Sequence, residues 1–171
     1  GTSPEIIQNL LQDPDVIMHA NEINKGTKKH RKLILSASRV DYTKGNEELL
    51  LSFERVLMKR KDLHGKVVLM LACVAAASGM KIYDETQRSI EEMAGRINGK
   101  FGQIDWVPIR FSTRRIPYEE IVAWFSQADV CWITPLRDGL NLVAKEYAAA
   151  RKDRGGVLVL SEFTGASVLL D

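Results

Sequence analysis

The stretch "DVCWITPLRDGLNLVAKEYAAA", residues 129 to 150, joins a short apolar run to an apolar helical pattern through one polar loop. The run is predicted to be a strand over 129 to 134, and the pattern predicts a helix over 140 to 151. A strand followed closely by a helix is the repeating unit of a parallel sheet that helices cover. If this unit decides the fold, it should recur along the chain.

The unit does recur, because short β-branched or apolar runs alternate with amphipathic stretches. Asn46 and Asn141 suit N-caps, and Pro117 suits a first helical turn. The chain is therefore predicted to be α/β, with a parallel sheet covered by helices on both faces. The predicted strands are 32 to 38, 66 to 74, 104 to 109, 129 to 134 and 156 to 161, and the predicted helices are 46 to 60, 81 to 97, 117 to 128 and 140 to 151.

Residues 1 to 31 precede this pattern and read as a short helical stretch, "PEIIQNLLQ", followed by a polar segment. The segment ends in the basic run "TKKHRK", which we interpret as a solvated turn rather than a nucleic-acid site. The Asp-x-Asp at 13 to 15 follows a helical stretch and not a strand, so it predicts a turn and no metal.

Composition favours a globular domain that functions through local sites. The 171 residues are 45% hydrophobic and 27% charged, and 24 basic against 22 acidic residues give a net charge of +2. This balance favours neither nucleic acid nor an anionic membrane as a partner. Cys73 and Cys131 lie in apolar runs and are predicted to be buried free thiols in a reducing, cytoplasmic setting. The sequence shows no leader pattern and no apolar stretch near eighteen residues. It therefore predicts neither secretion nor a membrane-spanning segment.

In a parallel α/β sheet, ligands bind beyond the carboxyl ends of the strands, and two of these ends are unusual. The first loop, residues 39 to 45, carries Arg39 and Lys44 beside a predicted helix start. Two cations and a helix N-terminus favour an anion of two or more charges. The alternative is that Arg39 pairs with Asp41 and that Lys44 is solvated.

The second loop, residues 134 to 141, is more specific. Gly139 lets a backbone approach a ligand closely, and the amides after Asn141 form a second anion site. Asp138 would point toward the sugar side of a bound diphosphate. The alternative is that Asp138 only caps the helix.

The predicted helix after the second loop carries a further carboxylate, Glu146. It lies five residues past Asn141, or about 7.5 Å along a helix axis, which matches the offset from a diphosphate to a nucleotide ribose. The alternative is that Glu146 is a surface partner of Lys145 or of a neighbouring helix. The apolar members of this helix are predicted to be core residues under either interpretation: Leu142, Val143, Tyr147 and Ala150.

Four motifs resemble the nucleotide-binding domain of the trehalose-6-phosphate synthase family: "SRVDYTKG", "GRINGKFG", "TPLRDGLNLVAKEYAAA" and "GVLVLSEFTGA". The resemblance covers nearly the whole chain. It implies the Rossmann-like, nucleotide-sugar-binding half of a retaining GT-B glycosyltransferase. In such an enzyme residues 1 to 31 would be an interdomain crossing, residues 32 to 171 the donor domain, and an N-terminal acceptor domain would be absent from this chain, leaving it inactive alone.

The resemblance also implies roles for individual residues. Arg39 and Lys44 would bind the donor diphosphate, Asp138 would hold the transferred glucose, and Glu146 would hold the ribose. The predicted donor-binding set is completed by the backbone of the second loop and the following helix start: Gly139, Leu140, Asn141, Leu142 and Val143. No metal or other cofactor is implied.

One position separates branches of this family. Trehalose-6-phosphate synthases carry a phosphate-binding arginine where this sequence has Ala77, and alanine cannot make that contact. The surrounding sequence resembles the glucosylglycerol-phosphate synthase branch, which implies ADP-glucose and glycerol 3-phosphate as substrates. Three alternatives remain: trehalose-6-phosphate synthesis from UDP-glucose, a non-catalytic nucleotide-sugar sensor, and a plain α/β interaction domain whose loops are only capped turns. The sequence does not predict the oligomeric state.

Overall fold

The computed structural model describes residues 3 to 75 and 81 to 169 as one five-stranded sheet with helices on both faces. Ala77 lies outside the described residues. In chain order the elements are α1 (Pro4–Leu10), α2 (Pro14–Ile23), β1 (Lys32–Arg39), α3 (Asn46–Lys59), β2 (Val67–Val74), α4 (Lys81–Phe101), β3 (Ile109–Ser112), α5 (Tyr118–Gln127), β4 (Val130–Ile133), α6 (Leu142–Arg151) and β5 (Val157–Leu160).

The strands are all parallel, and their order across the sheet is β3-β2-β1-β4-β5. Strand β1 pairs with β2 from Lys32 to Arg39 and with β4 at Ile34 and Leu35. The chain moves outward from β1 in one direction and then returns to add β4 on the other side. The carboxyl ends of β1 and β4 therefore flank the switch point, where open α/β sheets bind ligands.

Side-chain alternation along the sheet divides the core between its two faces. Leu33 and Leu35 of β1 lie in a cluster with residues of α1, α2, α5 and α6, whereas Ile34 packs against a second cluster with residues of α3 and α4. The predicted covering of both faces is confirmed. Cys73 and Cys131 are buried free thiols as predicted, and burial raises the pKa of Cys73 to about 12.

The third strand is displaced from its prediction, because β3 covers Ile109–Ser112 and not 104 to 109. The apolar residues before it, Ile104 and Trp106, lie outside the strand. Trp106 is buried and donates its indole N–H to the Val67 carbonyl at 2.7 Å, while Ile104 is exposed. Asn98 fixes the strand start by accepting from the Ile109 N–H at 2.9 Å and donating to its carbonyl at 2.8 Å.

The N-terminal segment contains two helices where one was predicted, because Asp13 caps a second helix that starts at Pro14. Helices α1 and α2 pack against α6 and α5, and Ile7 and Val16 are buried. The proposed boundary between residues 31 and 32 stays a prediction.

The basic run at 27 to 32 is not the solvated turn that was predicted. Arg31 is buried and donates to the carbonyls of Gly65 at 2.9 Å and Asp105 at 2.8 Å. Lys28 lies 3.2 Å from the Asp129 carboxylate. The run therefore anchors the chain that enters β1. No helix of the described ranges is both long and apolar enough to cross a membrane.

Two helix starts differ from prediction by one position. Asn46 is the first residue of α3 rather than its cap, and its side chain is buried against the end of β1, where it accepts from Ser38 Oγ at 3.1 Å. Pro117 precedes the first residue of α5, Tyr118.

Helices α3 and α4 are joined by a charged cluster at their surface. Glu54 accepts from both terminal nitrogens of Arg96 at 2.8 Å and from Lys100 Nζ at 3.0 Å. The hydrogen bonds from Arg96 and then Lys100 lower the pKa of Glu54 from 4.5 to about 2. Because the pKa is lower in the folded state, this cluster stabilises the fold above pH 4.5 and loses that stabilisation as the pH falls toward 2.

We expect Glu54→Gln to lower the free energy of unfolding at pH 7 and to reduce its dependence on pH between 4.5 and 2, since glutamine cannot lose a charge there. Urea unfolding at a series of pH values measures this, with Glu91→Gln on the exposed side of α4 as the control. Equal pH dependence in wild type and Glu54→Gln would show that the cluster does not act as described.

Candidate functional site

The two polar loops that follow β1 and β4 touch each other at the carboxyl edge of the sheet. The backbone N–H groups of Leu136 and Arg137 donate to the Thr43 carbonyl at 2.9 and 3.2 Å. Gly45 adopts a left-handed φ of 67°, and a side-chain carbon there would lie 2.5 Å from the Thr134 carbonyl oxygen. Glycine is therefore required where the first loop packs against the second.

A cavity of about 480 Å³ opens between these loops and the ends of β1 and β2. Seven of the nine predicted donor-binding residues line it, and their roles stay predictions: Arg39, Lys44, Asp138, Leu140, Asn141, Leu142 and Val143. The other lining residues were not predicted from the sequence: Ala37, Ser38, Ala72, Val74, Ile116 and Ile121. The first four belong to strand ends and could have been found by following each strand to its carboxyl end.

Lys44 and Asp138 form an ion pair between the two loops, with Nζ and Oδ2 separated by 2.8 Å. Both side chains are largely buried, at 17% and 14% exposure. The alternative that Lys44 is solvated is therefore wrong. Burial opposes ionisation of Asp138, but the hydrogen bond from Lys44, its charge and the hydrogen bond from Asn141 hold the pKa of the carboxyl below its usual value. The Asp138 carboxyl is therefore ionised at neutral pH.

Arg39 is much less constrained than Lys44. Its side chain is 72% exposed, and its nearest carboxylate oxygen is that of Asp41, 3.9 Å away. Asp41 itself is fixed in the loop, because it accepts from the Thr43 N–H at 2.9 Å and the Thr43 hydroxyl at 2.8 Å. The alternative pairing of Arg39 with Asp41 is thus present only as a long, exposed contact, which leaves the guanidinium able to reach into the cavity.

Helix α6 begins at the cavity with its positive end. Asn141 is the N-cap, as predicted, and accepts from the Ala144 N–H at 2.9 Å while donating to Asp138 Oδ2 at 3.0 Å. The first N–H groups of a helix have no intrahelical acceptor, so those of Leu142 and Val143 are available to an anion. Leu142 is 41% exposed, which corrects its prediction as a core residue. Tyr147 and Ala150 are buried as predicted.

Gly139 and Glu146 are the two predicted residues that do not line the cavity. A side-chain carbon added to Gly139 would meet nothing within 4 Å, so the space beside it is open. Glu146 lies one turn beyond Val143 on α6 and accepts from the Tyr118 hydroxyl of α5 at 3.0 Å. This matches the alternative in which Glu146 contacts a neighbouring helix, while its binding of a ribose stays a prediction.

No group of three or more His, Cys, Asp or Glu side chains within residues 3 to 75 and 81 to 169 is arranged to hold a metal ion. The polar groups at the cavity include two cations, one carboxylate and the α6 N-terminus. That combination suits an anionic ligand bearing hydroxyl groups, since the N–H donors bind the anion and the carboxylate accepts from hydroxyls.

The sequence of the whole chain, residues 1–171, matches the family model described as Glycosyltransferase family 20. The chain belongs to this family. It is 46% identical over 170 residues to a glucosylglycerol-phosphate synthase of Synechocystis sp., covering 99% of this chain and 34% of that protein. A glucosylglycerol-phosphate synthase of Pseudomonas anguilliseptica is 57% identical over 134 residues, which cover 77% of this chain and 18% of that protein.

Solved structures of the family share the fold. The UDP-forming α,α-trehalose-phosphate synthase of Burkholderia xenovorans, solved in complex with glucose-6-phosphate, matches with a TM-score of 0.94 at 37% identity, over 100% of this chain and 37% of that one. The predicted Rossmann-like α/β fold and GT-B family are confirmed. This family 20 chain spans about a third of the length of the first of these curated relatives.

Proposed function

We propose that this chain is the donor-binding half of a retaining glucosyltransferase that transfers glucose from a nucleoside-diphosphate glucose, ADP-glucose by preference, to glycerol 3-phosphate. The other half of the cleft, with most of the acceptor site, would lie elsewhere in the full-length protein. The product would be glucosylglycerol phosphate, an osmolyte precursor made in the cytoplasm. The single observation that carries the proposal is the cavity between the two loops, with Lys44, Asp138 and the α6 N-terminus at its lining.

The chemical task of this half is to stabilise the departing diphosphate. Lys44 and Arg39 supply positive charge, and the α6 N-terminus supplies N–H donors that need no reorganisation during the reaction. Fixed donors of this kind can take up the developing charge, so the proposed mechanism needs no metal or other cofactor. Asp138 would accept hydrogen bonds from the hydroxyls of the transferred glucose, and Glu146 would accept hydrogen bonds from the ribose hydroxyls.

Donor binding would change the contacts of Lys44. Its ammonium donates to Asp138 at 2.8 Å, and a bound diphosphate would compete for the same donors. The proposal therefore includes an exchange in which Lys44 turns toward the diphosphate and Asp138 accepts from the sugar instead.

The acceptor is proposed from two supports: the named relatives that make glucosylglycerol phosphate, and Ala77 in the sequence. Trehalose-6-phosphate synthesis is the second candidate, because the solved relative with the same fold is a trehalose-phosphate synthase. Both candidates share the proposed donor cavity and differ in the acceptor.

Assays of the full-length protein should separate the candidates. With ADP-glucose or UDP-glucose as donor, and glycerol 3-phosphate or glucose 6-phosphate as acceptor, we expect the highest kcat/KM for ADP-glucose with glycerol 3-phosphate. Efficient use of glucose 6-phosphate with no use of glycerol 3-phosphate would contradict the acceptor proposal. Nucleotide-sugar binding without transfer to either acceptor would instead support a sensor, and no nucleotide affinity would indicate an interaction domain.

A further inference from the structure

We propose that Tyr118 is a positioning residue for the nucleotide donor, which fixes the Glu146 carboxylate for contact with the ribose hydroxyls. This inference rests on the proposed function and deepens it. It starts from a contact between α5 and α6 whose donor the sequence did not identify: the Tyr118 hydroxyl donates to Glu146 Oε1 at 3.0 Å.

The ring of Tyr118 is held in place by apolar packing. Tyr118 is the first residue of α5, which packs against α6, and its partly buried side chain lies against the same core cluster as Ile116, Ile121 and Val143. Those three neighbours also line the donor cavity. Tyr118 therefore lies between the core and the cavity, and this packing holds its ring and hydroxyl in one orientation.

The hydrogen bond from Tyr118 restricts a flexible side chain. A glutamate has three side-chain torsions, and ordering them for ligand binding has an entropic cost. A carboxylate only accepts hydrogen bonds, so the tyrosine hydroxyl is the donor in this contact. Holding Oε1 restricts the rotation of the carboxylate before the ligand arrives. Such pre-organisation lowers the cost of binding a vicinal diol, which donates through both of its hydroxyls.

Loss of this contact should weaken donor binding without changing the chemical step. In the full-length protein we expect Tyr118→Phe to raise the donor KM by about threefold to tenfold, the effect of one hydrogen bond. The value of kcat should change by less than about twofold, because the ribose is remote from the bond that breaks. Calorimetry with ADP and 2′-deoxy-ADP, and with UDP and 2′-deoxy-UDP, measures the ribose preference, which should fall by a similar factor.

Tyr147→Phe is the matched control. It removes the same hydroxyl from the residue next to Glu146, but that hydroxyl donates to the carbonyls of Ala128 and Asp129 near the start of β4. We expect it to affect stability while keeping the wild-type ribose preference. In a Glu146→Ala background, Tyr118→Phe should have no further effect on the preference, because the two residues act through one contact.

The outcomes separate this inference from the proposed function. A wild-type protein that binds no nucleoside diphosphate would overturn the proposed function itself. A wild-type protein that binds ADP or UDP and prefers the ribose form, together with a Tyr118→Phe variant that keeps the full preference, would overturn only the role of Tyr118. Equal loss of preference in Tyr118→Phe and Tyr147→Phe would also overturn it, since the effect would then follow from stability.

Discussion

Lys44→Ala in the full-length protein is expected to lower glucosyl transfer by about 10²-fold or more, the effect of removing one pre-organised charge from a developing anion. Lys44 is the better placed of the two cations, because it is mostly buried and already held at the cavity by Asp138. Arg39→Ala should act in the same direction. Binding of adenosine, which has no diphosphate, should change little.

Steady-state kinetics with the donor and calorimetry with adenosine measure these two effects. Lys32→Ala is the control, since Lys32 is an exposed cation at the opposite end of β1, 3.1 Å from Asp129. Near-normal turnover in a folded Lys44→Ala variant would reduce Lys44 to a structural link between the two loops.

Asp138→Asn is expected to cause the second large loss, a fall in turnover of about tenfold to 10²-fold. The change keeps the size of the side chain but removes the charge that accepts from Lys44 and Asn141. Two results should follow. The sugar hydroxyls would lose a charge-assisted acceptor, and Lys44 would be left partly buried without a carboxylate.

The matched control for Asp138→Asn is Asp41→Asn in the first loop. Asp41 is also partly buried and hydrogen-bonded, but it accepts from Thr43 within its own loop and does not line the cavity. Steady-state kinetics and thermal unfolding of both variants separate the loss of sugar contact from a loss of loop structure. If Asp41→Asn reduced turnover as much as Asp138→Asn did, the loss would be due to loop structure and not to contact with the sugar.

The parallel sheet was predictable because each strand is a run of apolar residues followed by a polar loop and a helix. Strand β1 ends one residue later than predicted and β4 lies inside its predicted run. Adjacent strand ends then brought Arg39 and Asp138 to one edge of the sheet, as expected. The third strand was misplaced because Trp106 is apolar and buried although it precedes the strand and is not part of it.

The contacts inside the site were harder to predict, because they join residues far apart in sequence. Nothing local to Lys44 indicates that its partner is Asp138, which lies 94 residues away. Tyr118 appeared only as a residue of an amphipathic helix, and its contact with Glu146 depends on how α5 packs against α6. Leu142 was misjudged because the start of a helix at a cavity mouth exposes residues that the helical period would bury.

A crystal structure of the full-length protein with ADP would show whether the cavity between the two loops binds a nucleoside diphosphate. We expect diphosphate oxygens within hydrogen-bond distance of Lys44 Nζ and of the N–H groups of Leu142 and Val143, and a Lys44–Asp138 contact longer than 2.8 Å. A nucleotide bound elsewhere, with that contact unchanged, would show that the cavity is not the donor site.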